Sequence, residues 1–203
     1  MTKYIVFDFD GTLADTFDVI KTIATTEYGE YDFDLELFKS KGAKEMLKQL
    51  DIPRWKIPGM ILNVTSKLRS SNDIKLFPGI IDLLNTLKKD YKIGVVSSNS
   101  QEIINGTLKE YNIEHLFEFV YSESSLFGKH LVLERMCRKH NIDRADVIYV
   151  GDEDRDIVAA KKAKIKTIAV TWGFNSKEKL SRENPDYLVD SPMQILKALQ
   201  EVH

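Results

Sequence analysis

The chain has 203 residues, of which 43% are hydrophobic and 30% charged; this excludes a disordered, collagen-like or fibrous protein and leaves enough apolar material for one domain, or a core with a small insertion. Twenty-nine basic and thirty-one acidic side chains give a net charge of −2, with pI near 6.1, so no electrostatic footprint for nucleic acid or anionic lipid is present. The longest uncharged stretches, 57–66 and 167–176, cannot span a bilayer, Asp8 interrupts any signal-peptide core, and the lone Cys137 excludes an intrachain disulfide or a multi-cysteine zinc site.

In chain order, a buried strand is predicted over 3–8, followed by helix-like pieces at 17–28, 34–50 and 59–69 with no convincing strand from 16 to 75. Leu35, Phe38, Ala43, Met46, Leu47 and Leu50 carry the middle piece, and Pro53, Pro58 and Pro78 punctuate the boundaries. Sixty residues exceed what a βα connection needs, so a helical insertion is expected. Helices at 79–90, 100–112, 129–140 and 153–163 then alternate with apolar strands at 92–97, 117–121, 146–151 and 166–170, with a shorter strand at 186–189. A helix over 192–201 closes the chain behind Pro192. The expected fold is α/β: a Rossmann-like, mostly parallel sheet covered by helices on both faces, with a small α-helical cap inserted. The expected division is a core of 1–15 and 76–203 with a cap of 16–75.

Four constellations carry chemistry. The first strand delivers Asp8 to the carboxyl edge of the sheet, where open α/β folds bind ligands, and Asp10 lies two residues on, within Asp8-Phe9-Asp10-Gly11-Thr12-Leu13-Ala14-Asp15-Thr16. Ser97 and Ser98 follow the strand ending Gly94-Val95-Val96, ahead of a helix start, where a hydroxyl and backbone N–H groups can bind a phosphate oxygen. Alone, such a serine is an ordinary helix cap. Lys129 stands behind Phe127-Gly128 at a helix head, a poor place for a cation unless something anionic faces it. Gly151-Asp152-Glu153-Asp154-Arg155-Asp156 sets four carboxylates after another strand, more than helix capping requires. At an effective dielectric near 20, two such charges about 4 Å apart cost roughly 4 kcal/mol, which a hard cation such as Mg²⁺ would relieve.

In order and spacing these elements resemble the four motifs of the haloacid dehalogenase-like superfamily, over residues 3 to 174. The insertion, with Leu76-Phe77-Pro78-Gly79 at its return, resembles the helical C1 cap of the phosphoglycolate phosphatase-like branch. The resemblance implies a Mg²⁺-dependent phosphatase of a small phosphorylated metabolite. In it Asp8 is the nucleophile that becomes an aspartyl phosphate. Asp10 is the general acid and then base, with its backbone carbonyl on the metal. Ser97, Ser98 and Lys129 hold the phosphate, Asp152 ligates Mg²⁺, and Asp156 stands behind it. Three departures are visible: Ser97-Ser98 for Thr-Asn, His130 where proline is frequent, and Glu153 for a small hydroxyl residue that could bring it near the metal. None removes a required group. Asp10 argues against dehalogenation, since true dehalogenases of this superfamily lack it.

The same core and cap serve phosphomutases, the alternative enzyme class; a non-catalytic phospholigand-binding protein is a more distant one. A phospho-receiver domain is rejected because its acidic pair, phosphorylated aspartate and lysine come in another order. His115, His130, His140 and His203 lack metal-ligand spacing, and Cys137 shares an apolar stripe with Leu133 and Met136. Lys39, Lys41 and Lys44 around Gly42 could touch substrate but read more simply as a solvated helix face, and Trp172 and Phe174 read as packing residues. A cytoplasmic protein is expected, and nothing in the sequence selects monomer or dimer.

Overall fold

The structure is a computed structural model and describes residues 3–29, 31, 34–41, 43–50, 52–70, 74–122 and 128–201. Gly42, Phe127 and His203 lie outside the described residues, as do the side chains of Leu35, Phe38, Lys41, Ala43 and Lys44. In chain order the elements are β1 (Lys3–Phe7), β2 (Ala14–Asp15), α1 (Thr16–Tyr28), α2 (Leu35–Lys41), α3 (Ala43–Gln49), α4 (Ile57–Ser70) and β3 (Lys75–Leu76). They continue with α5 (Ile80–Leu87), β4 (Tyr91–Ser97), α6 (Gln101–Glu110), β5 (Phe117–Ser122), α7 (Lys129–His140), β6 (Val147–Gly151) and α8 (Asp154–Lys162). The chain ends with β7 (Lys166–Val170), α9 (Lys177–Arg182), β8 (Tyr187–Val189) and α10 (Gln194–Glu201).

Six strands form one sheet in the order β5-β4-β1-β6-β7-β8, and every pairing in it is parallel. Strand periodicity divides its core. Ile5 and Phe7 of β1 pack on one face with Leu83 of α5, Ile104 of α6 and Leu199 of α10. Val6 turns to the other face, with Leu133 and Met136 of α7 and Ala160 of α8. Both faces being covered explains why the strands read as continuous apolar runs. After β1 the chain moves outward through β4 and β5, then returns to β6 on the other side of β1. The carboxyl end of β1 is therefore the topological switch point, where this class of sheet opens a crevice.

The insertion is an inserted helical subdomain, α1–α4, between two short strands that pair antiparallel, Ala14 with Leu76 and Asp15 with Lys75. This two-residue ladder falls below what alternation can reveal. The helix expected over 34–50 is two shorter helices, α2 and α3, and α9 was not anticipated. Met46, Met60 and Leu68 of the insert are buried. Among the described residues, no helix is long and apolar enough to cross a membrane.

Candidate active site

β1, β4 and β6 lie side by side, so their carboxyl ends bring Asp8, Ser97 and Asp152 to one edge. The backbone N–H of Asp8 donates to the Val150 carbonyl of β6 at 2.8 Å, and Phe9 N–H donates to Asp8 Oδ1 at 2.8 Å. Beyond β1 the chain turns at once: the N–H groups of Leu13 and Ala14 both donate to the Phe9 carbonyl, at 3.0 and 2.9 Å. Gly11 makes that turn with φ of +71°, and a Cβ there would stand 2.1 Å from Asp152 Oδ2, so both its backbone and its space require glycine.

One oxygen of each of Asp8, Asp152 and Asp156 lies within 4.8 Å of the others, and all three residues are buried. Lys129 Nζ, at the head of α7, donates to Asp8 Oδ2 at 2.8 Å and to Asp156 Oδ1 at 2.5 Å. It also lies 5.5 Å from the centre of the Tyr149 ring, whose hydroxyl donates to the Val96 carbonyl at 2.9 Å. Thr12 Oγ1 donates to Asp152 Oδ1 at 2.9 Å and the Phe174 N–H to Asp152 Oδ2 at 2.7 Å. Asp156 Oδ2 accepts from the Glu153 N–H at 3.1 Å, one half of the capping box that starts α8.

One ammonium among three carboxylates leaves excess negative charge. Burial, followed by the carboxylates of Glu153, Asp156 and Asp8, holds Asp152 well above the usual carboxylate range. Burial alone would lower Lys129, but Asp156 and Asp8 more than reverse this and keep it protonated. A buried set of hard oxygen donors whose charge the protein leaves uncompensated fits a divalent cation.

The side chain of Asp10 stands apart from this cluster and lines the adjoining cleft with Ser98 and Asn99. Asn99 Nδ2 donates to Asp10 Oδ1 at 2.8 Å. Burial, and then the neighbouring Asp8 carboxylate, push Asp10 up to about 6, the range suited to a group that gives and takes a proton near neutral pH. Ser97 is buried, and its Oγ accepts from the Asn99 N–H at 3.2 Å. Ser100 caps α6 by accepting from Ile103 N–H.

All seven expected site residues thus gather at the carboxyl edge of the sheet. Sequence reasoning missed Asn99, Thr12 and the Phe174 backbone. Trp172 and Phe174 do pack, against Phe77 and Phe17, but Trp172 Nε1 also donates to the Thr12 carbonyl at 3.1 Å, so the segment braces the site. Cys137 is buried. His140 stacks on Phe119 and shares a hydrogen bond with Tyr121 at the sheet's edge, away from the site. Lys39 Nζ lies 5.3 Å from the Phe17 ring centre, and its carbonyl accepts from Ser176 N–H, linking insert to core. Glu153 lies outside the aspartate cluster and pairs with Arg155.

Residues 5–170 match the family model described as haloacid dehalogenase-like hydrolase. The chain belongs to the haloacid dehalogenase-like hydrolases. A phosphoglycolate phosphatase of Synechococcus elongatus is 29% identical, over 98% of this chain and 97% of its own. The pyrophosphatase PpaX of Oceanobacillus iheyensis is 26% identical over 96% of this chain and 95% of its own. Among solved structures, a haloacid dehalogenase-like hydrolase from Streptococcus pneumoniae superposes with a TM-score of 0.83 at 25% identity, covering 98% of this chain and 99% of that one. This haloacid dehalogenase-like hydrolase belongs to its phosphoglycolate phosphatase-like branch. It is a phosphatase that acts on a small phosphoester through an aspartyl-phosphate intermediate.

Proposed function

We propose that the protein is a Mg²⁺-dependent phosphomonoesterase with Asp8 as its nucleophile. The observation that carries this reading is the group of Asp8, Asp152 and Asp156 oxygens within 4.8 Å of one another, bonded to one lysine and bordered by a carboxyl raised to about 6 on Asp10. Asp8 attacks phosphorus in line and forms the aspartyl phosphate, while Asp10 gives its proton to the departing alkoxide. Asp10, now ionised, takes a proton from the water that attacks the acyl phosphate. Ser97, Ser98 and Lys129 hold the phosphoryl oxygens, and Asp156 orients Lys129 through their ion pair. Asp8, Asp152 and the Asp10 backbone carbonyl would hold Mg²⁺, which supplies charge neutralisation between phosphate and carboxylates.

The helices of residues 16–75 act as a cap over a core of 1–15 and 76–203, turning on the β2–β3 ladder to exclude water. The named activities of the relatives divide between phosphoglycolate and pyrophosphate, so likeness alone does not choose a substrate for this chain. The test is Asp8→Asn with p-nitrophenyl phosphate and Mg²⁺. Loss of turnover, with a folded circular-dichroism spectrum, is expected; wild-type turnover would overturn the assignment.

A further inference from the structure

The cleft between insert and core has a volume of about 530 Å³, within the range of pockets that enclose a drug-sized ligand and far more than a phosphoryl group fills. Its two walls differ in kind. The core contributes Asp10, Ser98, Asn99 and the cations Arg155 and Lys179. Both cations are already engaged, Arg155 by Glu153 and Lys179 by Asp154 at 3.2 Å. The insert contributes Ile20, Met46, Met60 and Val64 among others, and no charged residue among the described ones that line the cleft. A substrate ending in a carboxylate or second phosphate would bring that anion against the apolar residues described on the insert, a costly desolvation. An apolar body there displaces water from apolar surface, which is favourable, and two thioethers can adapt to a flat ring.

We propose that the leaving group of the natural phosphomonoester is an alcohol carrying an apolar, ring-sized body, and that small polyanions such as phosphoglycolate and pyrophosphate are poor substrates. The proposal rests on the phosphatase reading above and adds the chemistry of the alcohol. It is tested with kcat/KM in Mg²⁺ for 2-phenylethyl phosphate against ethyl phosphate, whose alcohols are alike as leaving groups, and against phosphoglycolate and pyrophosphate. The phenylethyl ester is expected to exceed each of the others at least tenfold; equal or better turnover of either polyanion would overturn the proposal. Met60→Ala and Val64→Asp are each expected to lower the phenylethyl-to-ethyl ratio about tenfold, the scale of a lost apolar pocket contact. If Val64→Asp does not fold, Met60→Ala alone decides, and an unchanged ratio in it contradicts the proposal. Absence of Mg²⁺-dependent phosphate release from every ester, p-nitrophenyl phosphate included, would instead bring down the phosphatase reading itself.

Discussion

On the core side of the cleft, polar groups answer one another at short range: Lys129 bonds Asp8 and Asp156, Thr12 and the Phe174 amide hold Asp152, and Asn99 holds Asp10. On the insert side, the described lining residues are Ile20, Met46, Met60, Val64 and their uncharged neighbours. The core wall is a rigid, directional arrangement suited to one reaction, whereas the apolar wall is non-directional and adaptable. On the proposed reading, reaction type and substrate preference reside in different segments of the chain, and perturbations of the two should separate experimentally.

The largest effect is expected from Lys129→Ala. Removing the partner of a buried ion pair typically costs about 3–5 kcal/mol, so urea unfolding of the metal-free variant at neutral pH should show a loss of that order, together with loss of turnover. Asp10→Asn should lower kcat on alkyl phosphates by roughly 10²–10⁴. With p-nitrophenyl phosphate, whose leaving group needs no proton, phosphoenzyme should still form and then persist. Steady-state rates and burst amplitudes measured side by side would show this split; a burst absent from p-nitrophenyl phosphate as well, or wild-type rates on both esters, would remove Asp10 from proton transfer.

The pH dependence of stability tests the electrostatics. A buried aspartate whose folded pKa is raised contributes stability that is full below its unfolded pKa, near 3.9, and lost as pH rises through the folded value. With Asp10 raised to about 6 and Asp152 raised as well, the metal-free protein should lose stability between about pH 4 and 7, by on the order of 3 kcal/mol for Asp10 alone. Mg²⁺ should restore it at the upper end. Thermal melts across pH with chelator or Mg²⁺ would read this; a chelated protein most stable at pH 7 would contradict it.

A smaller, local effect is expected at Gly173, where a Cβ would stand 2.2 Å from Asp152 Oδ2 and 2.3 Å from the Gly11 carbonyl oxygen. Gly173→Ala should cost about 1–3 kcal/mol by overpacking and weaken Mg²⁺ binding in a calorimetric titration. Smallest of all is Lys177→Ala. Its pair with Asp190 is exposed, so unfolding should shift by less than about 1 kcal/mol, with kcat/KM unchanged.

Much of the core wall was legible because its residues stand at strand ends. Asp8 and Asp152 follow apolar runs whose burial on both faces leaves a continuous signal, and parallel pairing aligns those ends. The braces were not legible. Asn99 reaches Asp10 across 89 residues and Trp172 reaches Thr12 across 160, and no local pattern encodes such a meeting. The β2–β3 ladder is two residues per strand, too short for periodicity. Met46, Met60 and Val64 fall in the helix-like pieces expected over 34–50 and 59–69; that they border an open cleft depends on how the insert returns to the core.

The central claim is that Asp8 carries the phosphoryl group. The most direct measurement is acid quenching of Asp10→Asn during turnover of p-nitrophenyl phosphate, followed by reduction of the acyl phosphate with borohydride and peptide mass spectrometry. Modification confined to Asp8 is the predicted result. Modification at Asp152, Asp156 or another residue, or burst turnover with no trapped acyl phosphate, would contradict it.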